Sequence, residues 1–270
     1  MMCEKPMTAE SKPGKIFAMA NACAPEPEAG SLQGDETRLT PQGNRLRLVA
    51  DIRLPTRWAD FQLLGFESFV SCCNGKPERS ETALALVLGD IHAVPPLVRI
   101  HSQCATGDIF QSLRCDCHDQ LHLALNAIAD EGAGVLVYEH QEGRGIGLME
   151  KLRAYERQDH GLDTIEANLS LGHAADLRDY RLPAEILRFL KLNSVRLLTN
   201  NPYKVAALAH AGIEVVERVS AQVPGSFHSA RYLMTKREKM GHIFDTEWGA
   251  HIVPPNHVAV TSSAFARESE

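Results

Sequence analysis

Three cysteines lie close together in the middle of the sequence, at Cys104, Cys115 and Cys117. Thiolates are soft ligands that suit Zn²⁺, and a site with three protein ligands leaves a fourth position open for water. A zinc ion in such a site can activate water toward an electrophilic carbon. The spacing therefore predicts a metal site, although three buried thiols packed as small apolar residues are the alternative. His101 or His118 would close the site if either histidine supplied a fourth ligand.

A glycine-rich segment, residues 141–147, lies between a predicted strand and a predicted helix. The backbone N–H groups of such a loop can approach an anion at the helix N-terminus, and Arg144 can hold a phosphate through two hydrogen bonds. Glu142 can accept two hydrogen bonds from the N1–H and N2–H₂ edge of guanine. Since the segment matches neither a Walker motif nor a dinucleotide fingerprint, a plain glycine turn with Glu142 capping the next helix is the alternative.

A second candidate anion site, residues 199–204, lies where another predicted strand passes into a helix. It contains Thr199 and Lys204, and the end of a strand next to a helix start is a common position for phosphate. Asn201 followed by Pro202 is equally typical of an ordinary capped helix start. Both interpretations therefore stay open at this point.

Asp176, Arg178 and Tyr155 are the candidates for acid–base or nucleophilic chemistry. If the backbone around Asp176 and Arg178 is extended, both side chains lie on one face. A solvated, salt-bridged turn is the alternative for this pair, and a core aromatic is the alternative for Tyr155. The sequence contains neither an HExxH pair nor a GxSxG nucleophile elbow.

The composition is that of an ordinary globular protein, with 44% hydrophobic residues among 270 and a net charge of −6. No basic excess indicates nucleic acid binding, and the apolar runs are far too short to span a membrane. Seven cysteines, an odd number, occur without an apolar signal-peptide core. These features predict a cytoplasmic protein in a reducing compartment.

The spacing of apolar residues predicts an α/β fold: a mixed sheet flanked by helices, with a more antiparallel N-terminal portion. Residues 195–217 form the clearest unit, a strand, a helix and a parallel strand. The other predicted strands are 46–49, 60–63, 83–88, 97–100 and 135–138, and the other predicted helices are 120–130, 148–158 and 183–190.

The chain is predicted to contain one catalytic domain, residues 46–245. Residues 1–45 are rich in proline and charge, and this composition predicts a disordered N-terminal arm. Residues 246–270 are predicted to form a loose C-terminal tail.

From about Arg45 to His242 the sequence resembles the GTP cyclohydrolase II family of riboflavin synthesis, over roughly three quarters of the chain. Several separate motifs in the family's order carry the resemblance, in segments 99–117, 141–148, 151–155, 163–171, 175–179, 197–204 and 236–242.

The resemblance implies Zn²⁺ on Cys104, Cys115 and Cys117, and Mg²⁺ bound with the triphosphate of GTP. It implies Asp176 as proton acceptor, Arg178 as nucleophile and Tyr155 as active-site tyrosine. It also implies a homodimer, and as products formate, pyrophosphate and a 2,5-diamino-6-ribosylamino-pyrimidinone 5'-phosphate. The implied GTP contacts are Arg99, Ile100, His101, Ser102, Gln103, Gln120, Glu142, Gly143, Arg144, Thr164, Thr199 and Lys204.

Three positions depart from the family pattern: Gln103 replaces a usual Glu, His118 a usual Gly and His140 a usual Arg. Losing a carboxylate and weakening a cation near the site would alter substrate, product or rate. Two alternative functions follow, a paralogue that stops at a formamidopyrimidine or serves another pathway, and a non-catalytic GTP-binding regulator with a structural zinc.

Overall fold

The computed structural model describes residues 37–39, 45–70 and 79–244. Within these residues eight strands form one mixed sheet in the order β1-β2-β3-β4-β6-β5-β7-β8. The strands are β1 Thr37–Leu39, β2 Arg45–Pro55, β3 Asp60–Val70, β4 Arg79–Leu88, β5 Leu97–Ser102, β6 Gly134–Glu139, β7 Ser194–Leu198 and β8 Glu214–Val219. The helices are α1 Ala105–Asp108, α2 Cys117–Glu131, α3 Leu148–Asp159, α4 Thr164–Ser170, α5 Arg181–Phe189, α6 Pro202–His210 and α7 Ala230–Met240, with a short 3-10 turn at Glu142–Gly145.

The first four strands pair antiparallel, and β4 also pairs antiparallel with β6. Every second residue of β4 is buried, at Ala83, Ala85 and Val87, as expected for a strand with one face on the core. Both β2 and β3 are longer than predicted, at 11 residues each. The predicted strands stopped early because the second half of β2 is largely solvent-exposed, so that apolar alternation no longer marks it.

The second half of the sheet is parallel, since β5 pairs parallel with β6 and β7, and β7 pairs parallel with β8. Val135, Leu136 and Val137 are consecutive and buried, which is typical of a strand covered on both faces. The mixed α/β fold with an antiparallel N-terminal portion is therefore confirmed. The register pairs Ser102 with Glu139, so the carboxyl ends of β5 and β6 meet at one edge of the sheet.

Helices cover both faces of this sheet, as predicted. On one face α5 and α6 contribute Ile186, Leu187 and Leu208 to the larger core cluster. On the other face α2 contributes Leu125 and Ile128 to a second cluster. The helices on the two faces fix the carboxyl ends of β5, β6 and β7 at one edge of the sheet. Ligands bind at this edge in open α/β sheets.

The sequence analysis missed three helices, α1, α4 and α7. The start of α4 carries a capping box, in which Asp163 accepts hydrogen bonds from the backbone of Ile165 and Glu166. The Asp-x-x-Glu spacing at 163–166 is a signal in the sequence that would have located this helix.

β1 lies within residues 1–45, the segment predicted to be a disordered arm, and pairs with β2. This pairing assigns Thr37–Leu39 to the sheet, which corrects that part of the prediction. The rest of the arm, apart from Arg45, lies outside the described residues, as does the predicted tail 246–270. None of the helices in the described ranges is long and apolar enough to cross a membrane.

Candidate active site

The three predicted cysteines converge at the carboxyl end of β5. Cys104 precedes α1, Cys115 lies in the following loop and Cys117 is the first residue of α2. The Sγ atoms of Cys104 and Cys115 lie 3.7 Å apart, and all three Sγ atoms lie within 4.8 Å of one another. Tetrahedral zinc with bonds of about 2.3 Å places its sulfur ligands about 3.8 Å apart, so the cluster fits this ion.

The cluster is tightly enclosed by Gly107. A Cβ atom at this position would lie 3.0 Å from the Sγ of Cys115 and 3.1 Å from the Sγ of Cys104. Among the described residues, neither His101 nor His118 joins the three cysteines within ligand distance. The Nε2 of His101 instead contacts the carboxylate of Asp108 at 3.1 Å. The residues that converge here therefore leave the fourth ligand position open.

The protonation of the thiols is uneven. Hydrogen bonds with Cys115 and Cys117, together with the charge of Lys151, lower the pKa of Cys104 well below its ordinary value. The same hydrogen bond with Cys104 raises the pKa of Cys115 to about 12. One thiolate, on Cys104, is therefore already stabilised by its surroundings.

Lys151 and Glu142 form a buried ion pair that contacts the cysteine cluster. The Nζ of Lys151 lies 2.7 Å from the Oε1 of Glu142, 3.0 Å from the Sγ of Cys104 and 2.8 Å from the Oγ1 of Thr106. Burial opposes the charged ammonium, but Cys104 and Glu142 outweigh it and raise the pKa of Lys151 above its ordinary value. The other carboxylate oxygen of Glu142 accepts a hydrogen bond of 2.6 Å from the backbone N–H of Ala105.

These contacts compete with the hydrogen bonds to guanine that are predicted for Glu142. Both of its oxygens already accept hydrogen bonds from the protein, and its side chain is only 8% exposed. The same carboxylate would have to share its remaining lone pairs with a base. Positioning Lys151 and the start of α1 against the thiolates is the role that the geometry favours for Glu142.

Tyr155 lies one helical turn after Lys151 on α3, so the two side chains share a face. Its hydroxyl lies 3.4 Å from the Oγ1 of Thr106, which also contacts the Nζ of Lys151. Burial raises the pKa of Tyr155 to about 12, so the phenol stays protonated near neutral pH. The tyrosine lines the same cavity as the three cysteines and is therefore not a core aromatic.

A cationic cleft adjoins this thiol cavity. Arg99 donates to the carbonyl of Leu198 at 3.0 Å and to Gln120 at 2.7 Å, and Lys204 donates to the carbonyl of Ile100 at 2.8 Å. Burial and the neighbouring arginines lower the pKa of Lys204. A bound anion would raise this pKa again, because it would stabilise the charged ammonium. The cleft is lined by Arg99, His101, Ser102, Cys117, Gln120, Arg144, Arg178, Thr199, Asn200, Asn201, Lys204, Tyr232, Lys236 and His242.

Arg144 lines both the thiol cavity and the cationic cleft. It lies in the left-handed backbone region with φ of 62°, beside Gly143, whose φ is also 62°. Both terminal guanidinium nitrogens of Arg144 are buried without a hydrogen-bond partner in the described structure. Since unpaired buried cationic donors are costly, this arrangement is suited to binding an anion.

Asp176 and Arg178 form a bidentate ion pair in a turn. The Nε of Arg178 lies 2.9 Å from the Oδ1 of Asp176, and its Nη2 lies 2.5 Å from the Oδ2. Burial opposes ionisation, but the hydrogen bonds from Arg178 hold the pKa of Asp176 below its ordinary value. The same partner raises the pKa of Arg178. The two side chains are therefore salt-bridged and partly buried, and their catalytic roles stay predictions.

The structure brings most of the predicted residues into the two cavities. Ile100 and Asp176 are the exceptions. The side chain of Ile100 is fully buried in the core, and its carbonyl accepts a hydrogen bond from Lys204. Asp176 pairs with Arg178 and lines neither cavity. The thiol cavity is lined by Ser102, Gln103, Cys104, Cys115, Cys117, Gln141, Glu142, Gly143, Arg144, Ile146, Lys151, Ala154, Tyr155, Gln158, Thr164, Asn168, Arg178 and Tyr232.

The three departures from the family pattern differ in their distance from the site. Gln103 lines the thiol cavity. His140 is exposed and its Nδ1 contacts the hydroxyl of Thr82 at 2.7 Å. His118 packs against His122, with ring centroids 4.0 Å apart. Gln103 is therefore the departure with direct access to a ligand.

The sequence analysis missed Lys151, Tyr232 and Lys236 as site residues. Lys236 lies on α7, and its Nζ is 2.6 Å from the Oδ1 of Asp116. In the sequence, Asp116 is the residue between Cys115 and Cys117. The sequence motifs 151–155 and 236–242 contained two of these residues, but neither lysine carried a local sign of burial.

A mixed α/β sheet with a thiol cluster and a cationic cleft at its carboxyl edge defines a class: proteins that combine a potential metal site with an anion site. The sequence model of GTP cyclohydrolase II matches residues 47–220. The GTP cyclohydrolase-2 of Pectobacterium atrosepticum is 52% identical over 202 residues, which cover 74% of this chain and 98% of that protein. The GTP cyclohydrolase-2 of Escherichia coli O9:H4 is 50% identical, with coverage of 74% and 99%. The chain therefore belongs to the GTP cyclohydrolase II family and is an enzyme.

One solved structure is similar at a lower level. It is a two-domain 3,4-dihydroxy-2-butanone 4-phosphate synthase from A. baumannii, with a TM-score of 0.35 and 18% identity. The match covers 66% of this chain and 40% of that chain, and at this TM-score it has no weight for fold or function.

Proposed function

We propose that this enzyme opens the guanine ring of GTP at C8, and releases formate, pyrophosphate and a 2,5-diamino-6-ribosylamino-pyrimidinone 5'-phosphate. The observation that supports it most directly is the junction of the thiol cavity with the cationic cleft. Both are lined by Ser102, Cys117, Arg144, Arg178 and Tyr232. One nucleotide can therefore place its base near the cysteines while its phosphates lie among the cations.

Zinc on Cys104, Cys115 and Cys117 fits the cluster geometry, and when bound it supplies Lewis acidity at the carbon that is hydrolysed. Lys151 donates a hydrogen bond to the Sγ of Cys104 and offsets part of the thiolate charge. The protonated phenol of Tyr155 is available to donate a hydrogen bond or a proton within the same cavity.

The phosphates are proposed to bind Arg99, Arg144, Lys204 and Arg178 in the cationic cleft. Fixed cations at this position stabilise the charge that develops on transferring phosphoryl oxygens. Mg²⁺ is proposed to enter with the triphosphate. The contacts implied for Ser102, Gln103, Gln120, Gly143, Thr164 and Thr199 stay predictions, and these residues line one or both cavities.

Arg178 is better suited to charge stabilisation than to nucleophilic attack. Its guanidinium donates to both oxygens of Asp176, and this pairing raises its pKa further above neutrality. A protonated guanidinium has no lone pair for attack on phosphorus. Asp176 is accordingly proposed to orient Arg178, and its low pKa makes it a weak proton acceptor.

The two chemistries are expected to be separable. Cys104→Ser replaces a soft ligand by a harder, less acidic one, so zinc content and formate release should collapse while some pyrophosphate release survives. Arg178→Ala should suppress pyrophosphate release. Arg181→Ala is the matched control, because Arg181 is exposed, pairs with the neighbouring Asp179 and lines neither cavity.

Formate and pyrophosphate from GTP are measured in parallel, with zinc content and circular dichroism for each variant. Equal loss of both products in folded, GTP-binding Cys104→Ser protein would contradict the division of roles. Mass analysis of wild-type products distinguishes the alternatives, since a formamidopyrimidine indicates the altered paralogue and intact GTP indicates a regulator. We further propose a homodimer in a reducing cytoplasm, and light scattering after gel filtration measures the oligomeric state.

A further inference from the structure

Tyr232 lies where the two cavities of the site meet. It lines the thiol cavity and the cationic cleft, and it also lines a third, neighbouring cavity with Arg114, Thr164 and Arg231. Of the five side chains shared by the thiol cavity and the cleft, Tyr232 is the aromatic one. A ligand that spans both cavities must pass this ring.

Two cations also lie beside the ring of Tyr232. The guanidinium carbon of Arg144 lies 5.5 Å from the ring centroid, and the Nζ of Lys236 lies 4.4 Å from it. Cations at these distances are attracted to the ring face. The terminal nitrogens of Arg144 have no hydrogen-bond partner in the described ranges, so the ring is a contact that can orient its guanidinium there.

α7 is held firmly enough to fix the position of this ring. Lys236 pairs with the buried Asp116 at 2.6 Å, and Lys239 pairs with Asp163 at the start of α4. Leu233 of the same helix is 1% exposed and packs into the protein. The helix is thereby docked on the cysteine loop and on α4, the two structures that flank the site.

We propose that Tyr232 is a nucleotide-contacting residue, which packs against the ribose and α-phosphate of a purine nucleoside triphosphate and orients Arg144 toward the phosphates. This inference rests on the proposed function, because the base must reach the cysteines and the phosphates must reach the cleft. The sugar and the first phosphate then lie at the junction. The ring is proposed to carry the contact, because Tyr232 lines both cavities and its ring lies beside the two cations.

The first test compares Tyr232→Leu, which removes the ring, with Tyr232→Phe, which keeps it. Phe227→Leu is the matched control, since Phe227 is exposed and lines neither cavity. Tyr232→Leu should weaken binding of a non-hydrolysable GTP analogue and raise the KM roughly tenfold to thirtyfold, with a smaller change in kcat. Phe227→Leu should stay within about threefold of wild type, and Tyr232→Phe, which keeps the ring, should recover most of the affinity that Tyr232→Leu loses. Wild-type affinity and KM in folded, zinc-containing Tyr232→Leu would overturn the inference.

The second test uses the wild-type protein, so it does not depend on the folding of a variant. Nitration of tyrosine by tetranitromethane is followed by mass spectrometry, with and without the saturating GTP analogue. The analogue should protect Tyr232 and leave Tyr203 reactive, because Tyr203 is 60% exposed and lines neither cavity. Nitration of Tyr232 in the free protein that the analogue does not reduce would overturn the inference.

Failure of this inference can be told apart from failure of the proposed function. Formate release by the wild type without protection of Tyr232 refutes the contact alone. Protection of Tyr232 without formate release refutes the proposed reaction and supports the contact.

Discussion

Replacing Lys151 by Met should destabilise the protein strongly, because the ammonium has three buried acceptors. Its Nζ contacts Glu142 at 2.7 Å, Thr106 at 2.8 Å and Cys104 at 3.0 Å. The side chains of the ion pair are only 10% and 8% exposed. Removing one partner of a buried pair leaves the other charge unpaired, at a cost of about 3–5 kcal/mol in the free energy of unfolding. Zinc content should fall as well, since the Cys104 thiolate loses a hydrogen-bond donor.

A double-mutant cycle measures this coupling directly. Glu142→Gln alone leaves Lys151 with one anionic partner fewer, and Lys151→Met with Glu142→Gln removes both charges. The double variant should be more stable than the sum of the single effects predicts, by about 1–3 kcal/mol. Urea unfolding followed by circular dichroism gives the free energies, and elemental analysis gives the zinc content.

Arg153→Met is the matched control, because Arg153 lies on the exposed face of the same helix and pairs with Glu150. Its effect should stay within about 0.5 kcal/mol. If Lys151→Met cost no more than the control, or if the single effects were simply additive, the buried pair would not be coupled to the stability of the site.

Three further changes test the site. Gly107→Ala should push the cysteines apart, at a cost of about 1–3 kcal/mol and with a loss of zinc by elemental analysis. Gly65→Ala is its control, because a Cβ there meets nothing closer than 3.7 Å. Arg144→Met should raise the Kd for the GTP analogue roughly tenfold to hundredfold in calorimetry, while Arg153→Met should not. Asp176→Asn should lose stability near pH 7, because the folded-state pKa of this carboxylate lies below 3.8. Its contribution is present above about pH 4 and is lost as the pH falls through the folded pKa, so unfolding curves of variant and wild type should converge in acid.

The sequence predicts the elements whose signals are local. Helix α2 was located by its apolar spacing and by Gly132, whose φ of 71° ends it. The unit of β7, α6 and β8 was predicted with its parallel pairing. The cysteine cluster is predicted from spacing, since Cys115 and Cys117 are two positions apart on either side of Asp116, the residue that precedes α2.

The missed residues depend on contacts between distant parts of the chain. Lys236 and Asp116 are 120 positions apart, and Lys151 and Cys104 are 47 positions apart. A lysine on an amphipathic helix ordinarily indicates a solvated face. Only the folded sheet shows that these two are buried beside acids. Ile100 is buried in a strand, where the family resemblance implies a ligand contact, and that contact stays a prediction.

The cysteine cluster has a consequence for handling the protein. The Sγ atoms of Cys104 and Cys115 are 3.7 Å apart, and a modest side-chain rotation brings two such atoms to the length of about 2.05 Å of a disulfide. The Nζ of Lys151 lies 3.0 Å from the Sγ of Cys104, and this cation favours the thiolate, the form that reacts with oxidants. Stripping metal in air should therefore give folded protein that zinc alone does not revive. A reductant added before zinc should restore activity, because the proposed ion would keep its own ligands from oxidation.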